Sequence, residues 1–336
     1  MRVLVTIALV ALVVSAGAAA RPAAKGELAF TGADHGVPQV FVIGADGSER
    51  RRLTDAPAGS TTPVWSPDGQ QIAFVRRSGG NSQLYITDAR GGSLRALTSG
   101  AGRAASPSWS PDGRQIVFAA ARDGPSQIAI VRSDGGGRRN LAPSPRDQVA
   151  PAWSPDGHLI AFLTKASAGY LELYVAGADG RNLRQVPTPV PSLQPDVTEF
   201  VWLPDGRLAY TNRSGLAQEG LTVTTVSGAE RRYLGSASSP AWSPDGRQLA
   251  FVVGHAGAPE IYVRNGDAKP VRLVDPSLTP VRPAWSPDGR QIAFLLLGGG
   301  TVVLAVMDAD GGHLKRLAGN VYGDLSARPV FSWRPK

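Results

Sequence analysis

The pentapeptide Trp-Ser-Pro-Asp-Gly occurs five times, with its Trp at 65, 109, 153, 242 and 285, and the variant Trp-Leu-Pro-Asp-Gly begins at Trp202. Successive copies are 44, 44, 49, 40 and 43 residues apart. A period of this size, with several short apolar runs in each copy, marks a radial array of small sheets: no single unit can bury its own apolar faces, so the units must stack on one another. That requirement constrains the chain more than its length or composition does.

Within each copy the motif precedes an apolar run such as Gln71-Ile-Ala-Phe-Val75, Gln115-Ile-Val-Phe118 or Gln291-Ile-Ala-Phe294. A second run follows, as in Gln83-Leu-Tyr-Ile86 and Glu260-Ile-Tyr-Val263, and then a Gly-rich turn and a short basic segment such as Arg138 to Leu141. Four short strands per copy are expected. The motif itself reads as a hairpin turn. Proline presets φ, aspartate bonds nearby backbone amides, and glycine accepts the positive φ that closes the turn. This assigns structural duty to Trp65, Asp68 and Gly69, to Trp109, Asp112 and Gly113, and to Trp153, Asp156 and Gly157. Trp202, Asp205 and Gly206, Trp242, Asp245 and Gly246, and Trp285, Asp288 and Gly289 take the same parts. The tryptophan offers a large flat surface for packing between neighbouring units.

The chain ends read as two parts of one unit. Glu27 to Phe30, Gln39 to Val42 and Arg51 to Thr54 are three strands lacking their first. Pro329-Val-Phe-Ser332 aligns with Pro283-Ala-Trp-Ser286, which puts Phe331 in the place of the motif tryptophan and Trp333 beyond it. The expectation is an all-β, seven-bladed propeller of four-stranded antiparallel blades, closed by a C-terminal strand pairing with three N-terminal strands.

Residues 1–20 read as a secretory signal, with Arg2 as the positive region, an apolar Val3 to Val14, and Ala18 and Ala20 as a small-residue cleavage pattern. An uncleaved membrane anchor is the rival reading, although the apolar stretch is short for a span. Residues 21–336 then form a single propeller domain, periplasmic or extracellular, with no integral membrane segment after cleavage. The chain has no cysteine, so an exported domain must rest on its core alone. The net charge of +8 comes largely from arginines in or beside the last strand of each unit, among them Arg51, Arg95, Arg139, Arg232, Arg272 and Arg316. Charge on an edge strand blocks edge-to-edge aggregation. A ring of such residues with no nucleic-acid motif predicts no nucleic-acid partner.

The motif, the Ile-Ala-Phe strand, the Ile-Tyr-Val strand and the closing Arg-Leu-Thr resemble the TolB-type β-propeller repeat of bacterial exported proteins. The resemblance covers nearly all of the chain after residue 20. It implies the propeller fold and export. TolB itself joins an N-terminal α/β domain to a six-bladed propeller and is a periplasmic partner in an envelope-spanning complex. Between residue 21 and Glu27 there is no room for that domain, so partners do not carry over.

The search for chemistry yields little. His158 and His313 lie in turns, whereas His35 and His255 fall in the same loop of different units, without carboxylates at metal-ligand spacing. Asp308-Ala-Asp310-Gly311 faintly suggests a calcium loop, but Asp46-Gly47 and Asp134-Gly135 occupy the same hairpin elsewhere. There is no Gly-x-Ser-x-Gly elbow. Some propellers of this repeat type resemble oligogalacturonide lyases with a His-rich metal site, for which four histidines are few. The sequence therefore predicts no catalytic residue, no cofactor and no metal, and a non-enzymatic scaffold for a protein, peptide or cell-envelope partner. The alternative is a lyase or hydrolase acting on carbohydrate or peptide in a central channel. Binding is expected where the units differ. The proline-rich connection from Val186 to Glu199 is one such place, with Arg103, Arg146, Asp147, Asp196, Glu199, Arg282, Asp324 and Arg328 as candidate contacts.

Overall fold

The structure is a computed structural model that describes residues 26–188, 196–213, 220–255, 258–275, 277–321 and 330–335. The expected signal at 1–20, Asp324 and Arg328 lie outside these residues. The described residues form twenty-eight strands and no helix.

Five blades stand as separate four-stranded sheets, and the strands between Ser60 and Asn140 form a single eight-stranded sheet. The expectation of seven four-stranded blades is corrected on this point. Two repeats share one hydrogen-bonded sheet because the strand Arg103–Trp109 starts early enough to lie parallel to Asn81–Asp88, with Ser82 opposite Arg103. The Ser82 amide donates to the Gly102 carbonyl at 3.0 Å, and Gly102 adopts a φ of 129° that a side chain would resist. The repeat pattern marks strands; it does not encode whether neighbouring backbones approach closely enough to bond.

Closure occurs at the chain ends. Phe331–Trp333 pairs antiparallel with Glu27–Asp34, with Trp333 opposite Leu28. The same register sets Trp65 opposite Ile72 and Trp285 opposite Ile292. Trp333, not Phe331, therefore holds the motif position, and Trp333-Arg-Pro-Lys336 is a degenerate copy of the repeat motif. The indole N–H of Trp333 donates to the Ala284 carbonyl at 3.0 Å, as Trp109 does to Val64, Trp202 to Ala152 and Trp285 to Ala241. Each bond reaches back to the preceding unit, so these tryptophans fasten blade to blade.

The motif turn repeats in detail. Ser66 donates to Asp68 at 2.6 Å and accepts from the Gln71 amide at 2.9 Å, and Gly69 has a φ of 64°. Ser110, Ser154, Ser243 and Ser286 make the corresponding bond to their aspartates at 2.6 Å. The hydroxyl bond and a backbone N–H hold the carboxyls of Asp68, Asp112, Asp156 and Asp245 below their ordinary value.

The core lies between the blades. Phe30, Phe74, Phe118, Phe162 and Phe294 and the equivalent Tyr210 are fully buried, each side chain contributing about 1.5–3 kcal/mol by leaving water. Each interblade cluster mixes residues of neighbouring units, as where Ala73 and Leu84 pack with Trp109, Ile116 and Phe118. Thr98 ties the short outer segment inward, accepting from the Leu84 amide at 2.9 Å and donating to Gln83 at 2.6 Å; Thr54 does the same with Val40 and Gln39. The outer arginines do more than guard an edge. Arg51, Arg95 and Arg139 donate to the Ala89, Ser133 and Ala178 carbonyls of the following unit.

Candidate functional site

In six units the strand that ends in the motif tryptophan carries an irregularity before it. Register shifts fall between Thr61 and Val64, Ala105 and Ser108, Val149 and Ala152, Ser238 and Ala241, and Val281 and Ala284. These are β-bulges, which bend a strand and re-aim its side chains. At their first bulged position stand Thr62, Ser106, Ala150, Ser239 and Arg282, all at φ between 50° and 55° although none is glycine. Each precedes a proline, which disfavours the right-handed α conformation for the residue before it. Left-handed non-glycine residues cost on the order of 1–3 kcal/mol each, and such strain collects at functional positions. The strand Asp196–Trp202 differs. Phe200 replaces the proline, the shift falls between Val197 and Glu199, and Glu199 takes the corresponding position.

Most of these positions face a cavity of about 1130 Å³. Thr62, Ser106, Ala150, Glu199 and Arg282 line it, together with small residues such as Ala105, Ser108 and Ala121. Gly80 and Asn81, at the hairpin between the second and third strands, also line it. The cavity therefore extends to the propeller face that carries these hairpins and the connections between units. Its lining is mostly small, apolar or hydroxylated, so it offers volume with a few charged groups.

Glu199 is the one carboxylate in the lining described here. It is buried, and its Oε1 accepts from the Ser239 backbone N–H and, at 3.2 Å, from the Thr211 hydroxyl. Arg77, Arg103 and Arg282 supply the guanidiniums. Of the residues expected to bind, Arg103, Glu199 and Arg282 thus meet at one cavity. Asp147 and Asp196 instead accept from the Ser126 and Leu171 amides of the preceding unit, at 2.7 and 2.8 Å. Arg146 donates to Glu172 at 2.9 Å and to the Tyr174 hydroxyl at 3.1 Å. Arg77 was missed from the sequence because it continues an apolar strand and lies outside the connections.

The histidines do not converge on the cavity. His35 is exposed, 3.8 Å from Asp34, and the His158 amide donates to Asp156 in a motif turn. His313 bonds Asp308 at 2.7 Å; the carboxylate holds the imidazole pKa above its ordinary value and is itself lowered. The side chain of His255 lies outside the described residues. Among the described residues no three metal-ligating side chains cluster, and no helix is long and apolar enough to cross a membrane.

Sequence and fold comparisons extend this picture. The profile of the TolB beta propeller domain family matches residues 14–204 and 201–336. No curated protein sequence matches the chain. Among solved structures, TolB from Acinetobacter baumannii is similar at 18% identity and a TM-score of 0.58, over 93% of this chain and 67% of that one. A puromycin-hydrolyzing peptidase of Mycobacterium tuberculosis is similar at 18% identity and a TM-score of 0.71, over 88% of this chain and 54% of that one. An oligogalacturonate lyase in complex with manganese is similar at 18% identity and a TM-score of 0.70, over 84% of this chain and 85% of that one. At these identities the likeness is one of fold, and a fold hosts many functions.

Proposed function

This chain belongs to the TolB beta propeller domain family, and from that premise we propose that it is an exported, non-enzymatic scaffold that binds a peptide segment of a protein partner in its central cavity. Residues 1–20 serve as the export signal and 21–336 as the single binding domain. The observation that carries the reading is the cavity itself: about 1130 Å³, reaching one propeller face and lined by small side chains around Glu199 and Arg282. A lining of Ala, Ser, Thr and Pro admits an extended main chain, while a few fixed polar groups set its orientation. Arg103, Glu199 and Arg282 are the contacts proposed there. Arg146, Asp147 and Asp196 support the surrounding connections through the bonds described above.

Selection of displayed random peptides on the immobilised protein tests this, with Ala105→Trp as the counter-target. Ala105 is exposed in the cavity wall, and a tryptophan there fills space without removing a hydrogen bond. Peptides that hold the wild type and lose the variant support the reading. A selection returning only peptides indifferent to the variant overturns it. The alternative, an enzyme acting on carbohydrate or peptide in the channel, is supported by fold likeness to such enzymes. A stoichiometric, tightly held metal in the purified protein would favour that alternative.

A further inference from the structure

Where the two repeats fuse into one sheet, three residues fall into a row. Arg77 lies opposite Ser82 across an antiparallel pair, and Ser82 lies opposite Arg103 across the parallel bridge. Residues directly opposite one another project from the same face of a sheet, and all three line the cavity. Two strand spacings of about 4.8 Å set the Arg77 and Arg103 backbones roughly 10 Å apart.

The row is held firmly. The Ser82 hydroxyl donates to the Ala104 carbonyl at 3.0 Å and accepts from the Ala104 amide at 3.1 Å, while the Gly102 amide donates to the Asn81 side chain at 2.9 Å. Both arginines are exposed, and neither guanidinium has an ion-pair or hydrogen-bond partner among the described residues. By contrast, Arg51, Arg95, Arg139 and Arg146 all donate to carbonyls or carboxylates. The carboxylate in the cavity lining, Glu199, is buried and bonded to Ser239 and Thr211. Two like charges on strands set in register, without partners among the described residues, give this sector of the cavity a positive potential that steers and orients an anion.

We infer that Arg77 and Arg103 form an anion-recognition pair for an acidic peptide segment entering the cavity. An extended chain advances about 3.3 Å per residue and alternates its faces, so carboxylates two residues apart, roughly 7 Å, face the same way and come within reach of the two long arginine side chains. Guanidinium forks suit such carboxylates, forming paired charge-assisted bonds. The inference rests on the reading above that the cavity takes a peptide.

Fluorescence anisotropy with labelled octaglutamate and octaglutamine, at low salt, tests it. Octaglutamate is expected to bind at least about tenfold more tightly than octaglutamine. The double variant R77Q/R103Q is expected to lose that preference. R90Q/R290Q removes the same charge from exposed turns and is expected to change affinity less than about twofold. Equal loss in both doubles, or no preference for octaglutamate, overturns the inference. So does binding of polygalacturonate through Arg77 and Arg103 when octaglutamate does not bind. If octaglutamine binds, is displaced by Ala105→Trp and is matched by octaglutamate, the scaffold reading stands and the anion pair falls. If peptides bind and Ala105→Trp leaves them untouched, the scaffold reading itself falls.

Discussion

One buried acid joins the two chain ends where the ring closes. Glu27, in the first described strand, is 8% exposed in its side chain and lies 2.7 Å from Arg51 and 2.5 Å from Arg334. Arg334 follows the last strand and stacks on Trp65, its guanidinium carbon 5.0 Å from the ring centre. The clamp thus ties together the two chain ends and the next blade. Hydrogen bonds to charged groups contribute about 1.5–3 kcal/mol each. The two arginines are 29% and 33% exposed, so water screens part of that. Glu27→Ala is therefore expected to cost about 2–4 kcal/mol, or roughly 3–6 °C in melting temperature for a domain of this size. Asp123→Asn, which breaks an exposed pair at 74% and 90% exposure, should stay within about 0.5 kcal/mol of wild type. A double-mutant cycle of Glu27→Ala with Arg334→Ala should give a coupling of about 1–2 kcal/mol. Arg334→Lys keeps the charge but loses the planar stack, and should fall between. Melting curves and urea titrations of these variants provide the readout. If Glu27→Ala melts with Asp123→Asn, or the coupling is nil, the clamp adds nothing and closure rests on strand pairing and packing alone.

Other expectations follow from single contacts. Thr98→Val leaves the buried Leu84 amide without its acceptor and should cost about 1–3 kcal/mol by urea denaturation. Gly180→Ala and Gly36→Ala both force a side chain to φ near 85°, at about 1–2 kcal/mol; only at Gly180 does the added carbon also meet a backbone oxygen, that of Leu141, so it should be clearly the worse of the two. The motif aspartates have folded pKa values below their unfolded value near about 3.9. Their contribution is therefore complete above that value and lost as pH falls through the folded pKa. Urea midpoints should drop between about pH 5 and 2, and Asp68→Asn should flatten that dependence while lowering the midpoint at pH 7.

Much of the fold could be read from residues whose roles are local. The Pro-Asp-Gly turns, the doubly covered apolar strands and the pairing of the two chain ends all follow from pattern and turn chemistry. Trp333 was misplaced because its copy keeps only Trp and Pro: Arg334 stands where five of the six other copies have Ser, and Lys336 where they have Asp. The fused sheet was hidden for another reason. It depends on one close backbone approach at Gly102, which no periodicity records. Asp147 and Asp196 looked like surface charges on connections, yet each accepts an amide of the preceding unit; their function is set by a neighbour distant in sequence.

The same reasoning relocates the variable part of the molecule. The connections between units differ most in sequence, and that difference draws attention to them. The cavity, however, is lined by the strand that ends in the repeated tryptophan, at the residue three before it. In five units the bulge holds that residue at positive φ, and Thr62, Ser106, Ala150 and Arg282 line the cavity from it. Because the bulge and the proline fix the geometry, the residue at that position is free to change. It is Thr62, Ser106, Ala150, Ser239 and Arg282 in the five units that keep the proline, and Glu199 and Val330 in the two that have Phe there. A repeat that demands identical turns can thus present different chemical groups to one cavity, here Thr62, Ser106, Ala150, Glu199 and Arg282. Diversity in this column of the repeat, together with Arg77 and Arg103 beside it, sets the chemistry of the cavity wall.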